Sequence, residues 1–428
     1  MRVKIEFCLL LLCLFVLNEI VSGGKVSPPR TRRTKSSDGN GRPVRTLTAN
    51  ESSSGTFNVI SYGAKGDGKH DDSQAFAEAW KAACGASGTV TLEIPKATYL
   101  VGPVKFSGPC TNVKSITVDM KGYLKATTDL KMYGKTDDWI EFGWVDGLTL
   151  TGDGTFDGQG AESWSFNKCP VTKNCQVLPT NVKFVAMTNT VVRGITSLNS
   201  KFFHMGLIDC KNFVGSEIRI SAPENSPNTD GIHIERCTGV EIYHSSIGTG
   251  DDCISIGHGN SQVTISGVTC GPGHGISIGS LGRYQNEGDV TGVTVRDCTI
   301  SGTTNGVRIK TWENSPSSTV ASNMTFQDIV VNNVANPIII DQTYCPYVSC
   351  SSTAPSRVKL QDLHFKNIRG TSSSPVAVML ECSKGVPCQN VNLHDVHIEL
   401  MTGGTAKSSC QNIKATYSGT QIPAPCPV

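Results

Sequence analysis

The chain has 428 residues, a formal net charge of +2 and 17 cysteines. After the first 23 residues no segment is long and apolar enough to span a bilayer, which argues against an integral membrane protein. The chain has no Cys-x-x-Cys pair, so a structural zinc site is unsupported. We expect no cofactor, no metal and no nucleic-acid partner.

The N-terminal region is expected to be processed or disordered. Residues 7–17 are apolar and follow Arg2 and Lys4, which is typical of a cleaved secretory signal over residues 1–23. Residues 24–55 carry seven basic and two acidic side chains and almost no large apolar one, which predicts a basic disordered arm. The arm could contact a polyanion, but a propeptide or spacer is favoured. Residues 56–428 are predicted to form one domain.

The cysteines fit an exported protein. Removal of the signal leaves 15 of them, and an odd number requires at least one free thiol. Close spacing predicts the disulfides Cys84–Cys110, Cys169–Cys175, Cys253–Cys270, Cys345–Cys350, Cys382–Cys388 and Cys410–Cys426. Cys210, Cys237 and Cys298 remain, and we expect buried free thiols there.

One helix is predicted, close to the start of the domain. Asp71, Asp72 and Ser73 are candidate N-cap residues. The apolar face that follows consists of Ala75, Phe76, Ala79, Trp80 and Ala83. Such a helix would cover the open end of a solenoid, which otherwise exposes its core.

The strongest repeat is an interval of 22 residues between Asp230, Asp252 and His274. Each stands two positions before an apolar triplet, and a fixed interval of this size indicates stacked coils. Rungs would be about 4.8 Å apart. The register is predicted to continue at Val307, Ile338 and Val376, and each coil contains a second short strand. The pattern predicts an all-β, right-handed parallel β-helix, because the coils are too short for the blades of a β-propeller.

The alternation of side chains predicts two columns on the outer face of the rungs. The first column is His233, Ser255, Ser277 and Arg308, and the second is Glu235, Gly257, Gly279, Lys310 and Asp341. The glycines are expected to leave room for a substrate beside Lys310. Asp230, Asp252 and His274 have the parity of inward residues, so bends at Gly231, Cys253 and Gly275 must turn them outward.

The shared register of these residues indicates acid–base chemistry. Asp251 adds a third carboxylate, and a glycosidase needs one protonated acid and one carboxylate that activates water. Arg308 and Lys310 are predicted to lie too far along the column to neutralise all three acids and to meet anionic groups such as uronate carboxylates instead. Taken alone, paired Asp in a Gly-rich loop more often forms a turn or a calcium site, and Asn228-Thr229-Asp230 an Asx turn.

These residues resemble the signature motifs of the polygalacturonases, glycoside hydrolase family 28. The motifs are Asn228-Thr229-Asp230, Gly250-Asp251-Asp252, Gly273-His274-Gly275 and Arg308-Ile309-Lys310, and Tyr344 matches a further active-site tyrosine. The resemblance implies hydrolysis of α-1,4-galacturonosyl bonds with inversion and without a metal.

The resemblance also implies a role for each residue. Asp251 would be the general acid, Asp230 and Asp252 would position and deprotonate water, and His274 would tune the protonation of the acid. Asn228 is expected at the substrate, and Arg308, Lys310 and Tyr344 would hold the galacturonate.

The sequence leaves other functions and the mode of cleavage open. A calcium-dependent β-eliminase of the pectate lyase type and a non-catalytic pectin-binding protein are the alternatives. Similarity near residues 173–175 to pollen-type exopolygalacturonases favours release of single sugars from a chain end. Loops at residues 169–175 and 279–304 could close one end of the groove, whereas an open groove would belong to an endo-acting enzyme. We expect a secreted, cell-wall monomer that acts on pectin and binds no membrane.

Overall fold

The computed structural model describes residues 55–168, 172, 176–347, 350 and 352–426. The predicted signal peptide and basic arm lie outside these residues, except for Gly55. The described residues contain one α-helix, Ser73–Cys84, and four short 3-10 helices, at Val59–Tyr62, Leu130–Tyr133, Gly160–Glu162 and Trp164–Phe166. Within them, no helix has both the length and the apolar character needed to cross a membrane.

Eleven strands form one parallel sheet, here called the site sheet, in which each strand pairs with the strand of the next coil. In chain order they are Val104–Ser107, Asp138–Gly143, Thr180–Val185, Met205–Ile208, Ile232–Glu235, Ile254–Ile256, Ile276–Leu281, Asn305–Trp312, Asn336–Tyr344, Val376–Glu381 and Lys407–Gln411.

The other 22 strands form the back sheet, which has two parallel rows that merge in the last coils. They are Thr56–Asn58, Asp67–Asp71, Gly88–Ile94, Thr98–Val101, Val113–Met120, Tyr123–Ala126, Leu148–Thr151, Thr155–Asp157, Thr188–Arg193, Thr196–Leu198, Lys211–Ser216, Arg219–Ser221, Thr238–Tyr243, Ser246–Gly248, Ser261–Ser266, Thr269–Cys270, Val290–Arg296, Thr299–Ser301, Thr319–Val334, Val358–Ser372, Cys388–Leu400 and Ile413–Ile422.

The predicted register of the site sheet is confirmed over four steps. Ile232, Ile254, Ile276, Val307 and Ile338 pair in succession, and all are buried. The next step was wrong, because Ile338 pairs with Val378 and not with Val376. A shift of two residues preserves the alternation of inward and outward side chains, and Val378 is the buried residue. The predicted right-handed parallel β-helix is therefore the observed fold.

The corners of the back sheet depend on residues in the left-handed conformation. Glycine, asparagine and aspartate adopt positive φ most readily, which explains their regular recurrence in the sequence. One column of corners contains Glu217, His244, Gly267, Asp297, Asp328, Asn367, Asp395 and Gly419. At Gly419 a Cβ atom would lie 2.1 Å from Asp395 Oδ1, so a larger residue at this corner would displace the Asp395 side chain.

The predicted capping helix is confirmed. Its buried residues are those of the predicted face, Ala75, Phe76, Ala79, Trp80 and Ala83. Trp80 packs against Phe106 and donates from Nε1 to the Ser107 carbonyl at 3.0 Å. Asp72 is the N-cap residue, but its carboxylate accepts from the Lys65 and Gly66 amides of the preceding turn.

Five of the six predicted disulfides are present, and the sixth, Cys169–Cys175, lies outside the described residues. The observed pairs are Cys84–Cys110, Cys253–Cys270, Cys345–Cys350, Cys382–Cys388 and Cys410–Cys426. Cys210, Cys237 and Cys298 are buried free thiols, as predicted.

Candidate active site

A groove of about 690 Å³ runs over the outer face of the site sheet. The predicted site residues that line it are Asn228, Asp230, Asp251, Asp252, Lys310 and Tyr344. The other two predicted residues are hydrogen-bonded to residues that line the groove. His274 contacts Asp251, and Arg308 contacts Asp252. The structure thus brings all eight predicted residues together.

The acids face the groove because the chain bends directly after them. The Gly231 amide donates to the Asp252 carbonyl at 2.9 Å, and the Cys253 amide donates to the Gly275 carbonyl at 2.8 Å, so the bends stack like the strands. A Cβ atom on Gly231 would lie 2.4 Å from the Cys253 carbonyl oxygen, and one on Gly275 would lie 2.1 Å from that of Asn305. The predicted bends are therefore confirmed, and at two of them only glycine fits.

Asp252 is fully buried at the floor of the groove and is held by three donors. Its Oδ1 accepts from Ser277 Oγ at 2.7 Å and from Arg308 Nη2 at 2.8 Å, while its Oδ2 accepts from Lys310 Nζ at 2.7 Å. Burial alone would raise the pKa of Asp252, but Lys310 and Arg308 outweigh burial and lower the pKa below its ordinary value. Asp252 is consequently an ionised carboxylate.

These ion pairs correct the sequence-based expectation for the two cations. Arg308 and Lys310 were predicted to be exposed charges that meet the substrate in place of the acids, yet their side chains are only 13% and 8% exposed and both bind Asp252. The reason is geometric. Arg308 pairs in register with Ser277 and donates to its Oγ from Nε at 3.0 Å, which carries the guanidinium across one coil to Asp252.

Gly279 lines the groove and also has a role in the backbone of the site sheet. It adopts φ +107°, and a Cβ atom there would lie 2.2 Å from the Lys310 carbonyl oxygen. The pairing of the two strands shifts register after Ile278. Glycine is thus required at position 279 by the close approach of two backbones.

Asp230 is a second buried carboxyl group, with 6% of the residue exposed. Burial raises the pKa of Asp230 well above its ordinary value, and the charges of Asp251 and Asp252 raise it further. Lys310 and a hydrogen bond from Ser255 oppose this shift without cancelling it. Asp230 therefore has a high proton affinity, in contrast to Asp252.

Asp251 is the most exposed of the three acids, with 18% of its side chain accessible from the groove. Its Oδ1 lies 3.1 Å from His274 Nδ1, and its Oδ2 accepts from Asn228 Nδ2 at 3.3 Å. The hydrogen bond to Asp251 raises the pKa of His274, although burial opposes that shift. Asp251 is held on both sides and faces the groove.

Asp251, Asp252 and His274 form a candidate metal site. Ligand atoms of Asp251, Asp252 and His274 lie within 4.8 Å of one another. Both oxygens of Asp252 already accept from cations, and the raised pKa of His274 favours the protonated ring, which cannot ligate a metal. Calcium needs about six to eight oxygen ligands. The set does not fit a divalent cation.

Sequence reasoning missed several groove residues. His233, Glu235 and His258 form a cluster in which both imidazoles lie 3.4 Å from Glu235. Arg283, Tyr284, Trp312 and Tyr347 also line the groove. His233 and Glu235 could have been found from their outward columns. Arg283 and Tyr284 lie in a long coil without periodicity and gave no signal.

Comparison with known proteins gives a consistent result. A model of the glycosyl hydrolases family 28 matches residues 84–420. An exopolygalacturonase of Platanus acerifolia is 50% identical over 375 residues, covering 87% of this chain and 98% of that protein. A polygalacturonase of Gossypium hirsutum is 45% identical over 381 residues, covering 89% of this chain and 93% of that protein.

Solved structures share the fold at lower identity. The exopolygalacturonase of Thermotoga maritima has a TM-score of 0.70 at 20% identity and covers 85% of this chain and 92% of its own. The endo-xylogalacturonan hydrolase of Aspergillus tubingensis has a TM-score of 0.72 at 22% identity and covers 85% of this chain and 100% of its own. The match of the family model over most of the chain, together with the plant relatives, shows that this chain is a glycoside hydrolase and belongs to the glycosyl hydrolases family 28.

Proposed function

We propose that the protein is a polygalacturonase that hydrolyses α-1,4-galacturonosyl bonds of pectin with inversion. The observation that carries this proposal is the contrast among three adjacent acids. Asp252 is fixed as a carboxylate by two cations, Asp230 has a raised pKa, and Asp251 faces the groove. Acids with separated proton affinities are what acid–base hydrolysis of a glycoside requires.

In the proposed mechanism Asp251 protonates the leaving glycosidic oxygen. Water attacks the anomeric carbon from the opposite face and gives up its proton to a carboxylate, so the new hydroxyl has inverted configuration. Asp252 orients this water, because its lowered pKa makes it a weak base. Asp230, once ionised, is the stronger base and receives the proton. His274 holds Asp251 and tunes its protonation.

The cations can bind substrate while they remain paired with Asp252. An arginine side chain has five N–H donors and a lysine three, and the bonds to Asp252 and Ser277 use only some of them. We assign the remaining donors of Arg308 and Lys310 to the carboxylate of the galacturonate at the cleavage site. Tyr344 lies beside both cations, at 5.9 Å from Arg308 and 5.3 Å from Lys310, and Asn228 completes the pocket.

We further propose that the enzyme is exo-acting, secreted to the cell wall and monomeric. Both loops that were predicted to close the groove contribute residues to its lining. Thr172 comes from the first loop, and Ser280, Arg283 and Tyr284 come from the second. Plant relatives at about half identity are named exopolygalacturonases. Neither a nucleic acid nor a membrane is a proposed partner.

Sizing of early products from polygalacturonate tests this proposal. The expected result is monomeric galacturonate at low conversion, with a slow fall in viscosity. Mixed oligomers with a rapid fall in viscosity would show endo action. No release of reducing sugar from polygalacturonate would overturn the proposed activity itself.

A further inference from the structure

We propose that Arg283 forms a second carboxylate-binding subsite, which binds a galacturonate beyond the one at the Asp252 cluster. This inference rests on the proposed function, because it assigns a second uronate of the same substrate. The charge distribution of the groove motivates this proposal. Arg308 and Lys310 both pair with Asp252 and lie together, whereas a polygalacturonate chain carries one carboxylate on every sugar.

Arg283 is held as a rigid planar cation at the wall of the groove. Its guanidinium lies over the Tyr284 ring at 5.1 Å and over the Trp312 ring at 5.3 Å, and its Nη2 donates to Tyr347 Oη at 3.1 Å. Aromatic stacking fixes the plane of the guanidinium, and a fixed plane favours two parallel hydrogen bonds to a carboxylate. All four side chains line the groove.

An unbroken row of rings connects this wall to the catalytic cations. Lys310 Nζ lies 5.3 Å from the Tyr344 ring, Tyr344 packs edge-on against Trp312 at 5.5 Å, and Trp312 contacts Arg283. Arg283 therefore lies along the same groove as the cleavage site, and no part of its guanidinium overlaps the Asp252 cluster. A polymer that passes the row would present a later carboxylate to Arg283.

Glu287 acts as the positioning residue for this subsite. Its buried carboxylate accepts three backbone amides of the preceding turn, from Gly282 at 2.6 Å, Arg283 at 2.8 Å and Tyr284 at 2.7 Å. Three such bonds fix the backbone from which the guanidinium extends.

The experiment measures ligand binding in Asp251→Asn protein, in which turnover is expected to be slow enough for titration calorimetry. Arg283→Ala should weaken the binding of trigalacturonate by about tenfold or more, because hydrogen bonds to charged groups are worth about that factor. It should change the binding of the trimethyl ester by less than about twofold. Arg283→Lys keeps the charge but loses the planar fork of donors. Its affinity for trigalacturonate should therefore lie between those of Arg283→Ala and the protein with Arg283 intact.

Two controls make the result decisive. Arg296→Ala removes an exposed arginine of the back sheet, paired with Asp297, and should leave trigalacturonate binding unchanged. As a single change, Glu287→Gln should weaken trigalacturonate binding. In a double variant with Arg283→Ala it should cause no further loss if Glu287 acts through Arg283. Equal losses for acid and ester, or no loss for the acid, would overturn the subsite. Inactivity of the wild-type enzyme on polygalacturonate would overturn the proposed function instead, and the titration would still report on Arg283.

Discussion

At the scale of single residues, the site depends on three aspartates of one chemical type that lie in different surroundings. Asp252 lies between two cations and has a lowered pKa, while burial raises the pKa of Asp230. Only Asp251 combines access to the groove with support from both His274 and Asn228. The environment of each residue, and not its identity, separates the roles.

Asp251→Asn should keep the fold and substrate binding and lose most of the turnover. The amide preserves shape but cannot protonate the leaving oxygen, and general acid catalysis contributes about 10² to 10⁴-fold. Release of reducing sugar from polygalacturonate measures the loss, with thermal unfolding as the control for folding. Near-normal turnover would remove Asp251 from the acid role.

Lys310→Met should reduce stability as well as activity. The sequence alone predicted a cation on the outer face that meets the substrate, but Lys310 is buried against the fully buried Asp252. Removal of one partner of a buried pair costs about 3 kcal/mol or more. Denaturant unfolding checks this, with Lys183→Met as the matched control, because its exposed partner Asp137 limits the loss to about 0–1 kcal/mol. Equal losses in both variants would contradict the buried ion pair.

Asp230→Asn should abolish most activity and stabilise the protein at neutral pH. The folded pKa of Asp230 is raised above the unfolded value of about 3.9, so the native state binds the extra proton and stability falls as pH rises above about 4. Asparagine does not titrate, so the variant should not lose stability in this way as the pH rises. Unfolding free energies of both proteins should converge below about pH 4. Exposed Glu224→Gln is the control, and a variant less stable than wild type at pH 7 would contradict the raised pKa.

At the scale of elements, the strand Ile276–Leu281 and its neighbour Asn305–Trp312 place the two cations. Their register shifts at Gly279, where two backbones approach closely. The sequence could place Arg308 and Lys310 on the outer face, because strand alternation fixes parity. It could not show that both reach Asp252, because parity does not fix the direction in which a long side chain crosses from one coil to another.

Gly279→Ala should impair both stability and activity. Alanine at φ +107° is strained, and its Cβ atom would press on the Lys310 carbonyl oxygen and displace the ammonium group from Asp252. Gly302→Ala is the matched control, since Gly302 also has positive φ but has nothing within 4 Å of a Cβ atom. The control should lose only about 1–2 kcal/mol. Unfolding curves and reducing-sugar assays compare the two, and similar losses would show that the close approach is unimportant.

At the scale of the whole molecule, regular coils were predictable and irregular ones were not. Coils of constant length made the pairing of Ile232, Ile254 and Ile276 readable from spacing alone. Beyond Ile338 the coil is longer, and its length could not be divided between strands and loops from the sequence. The observed partner of Ile338 is therefore Val378 and not the predicted Val376. The wall around Arg283 was missed for the same reason, because a loop without periodicity gives no register from which contacts can be inferred.

The most direct test of the central claim is the first product of polygalacturonate hydrolysis, followed by proton NMR in the presence of EDTA. Our account predicts saturated galacturonate ends that appear first as the β-anomer, because the α-linkage is inverted and the acids transfer protons without a metal. Asp251→Asn should give no such signal on the same timescale. An initial α-anomer would contradict inversion. Activity that EDTA abolishes and calcium restores, with unsaturated products absorbing in the ultraviolet, would show a lyase instead of a hydrolase.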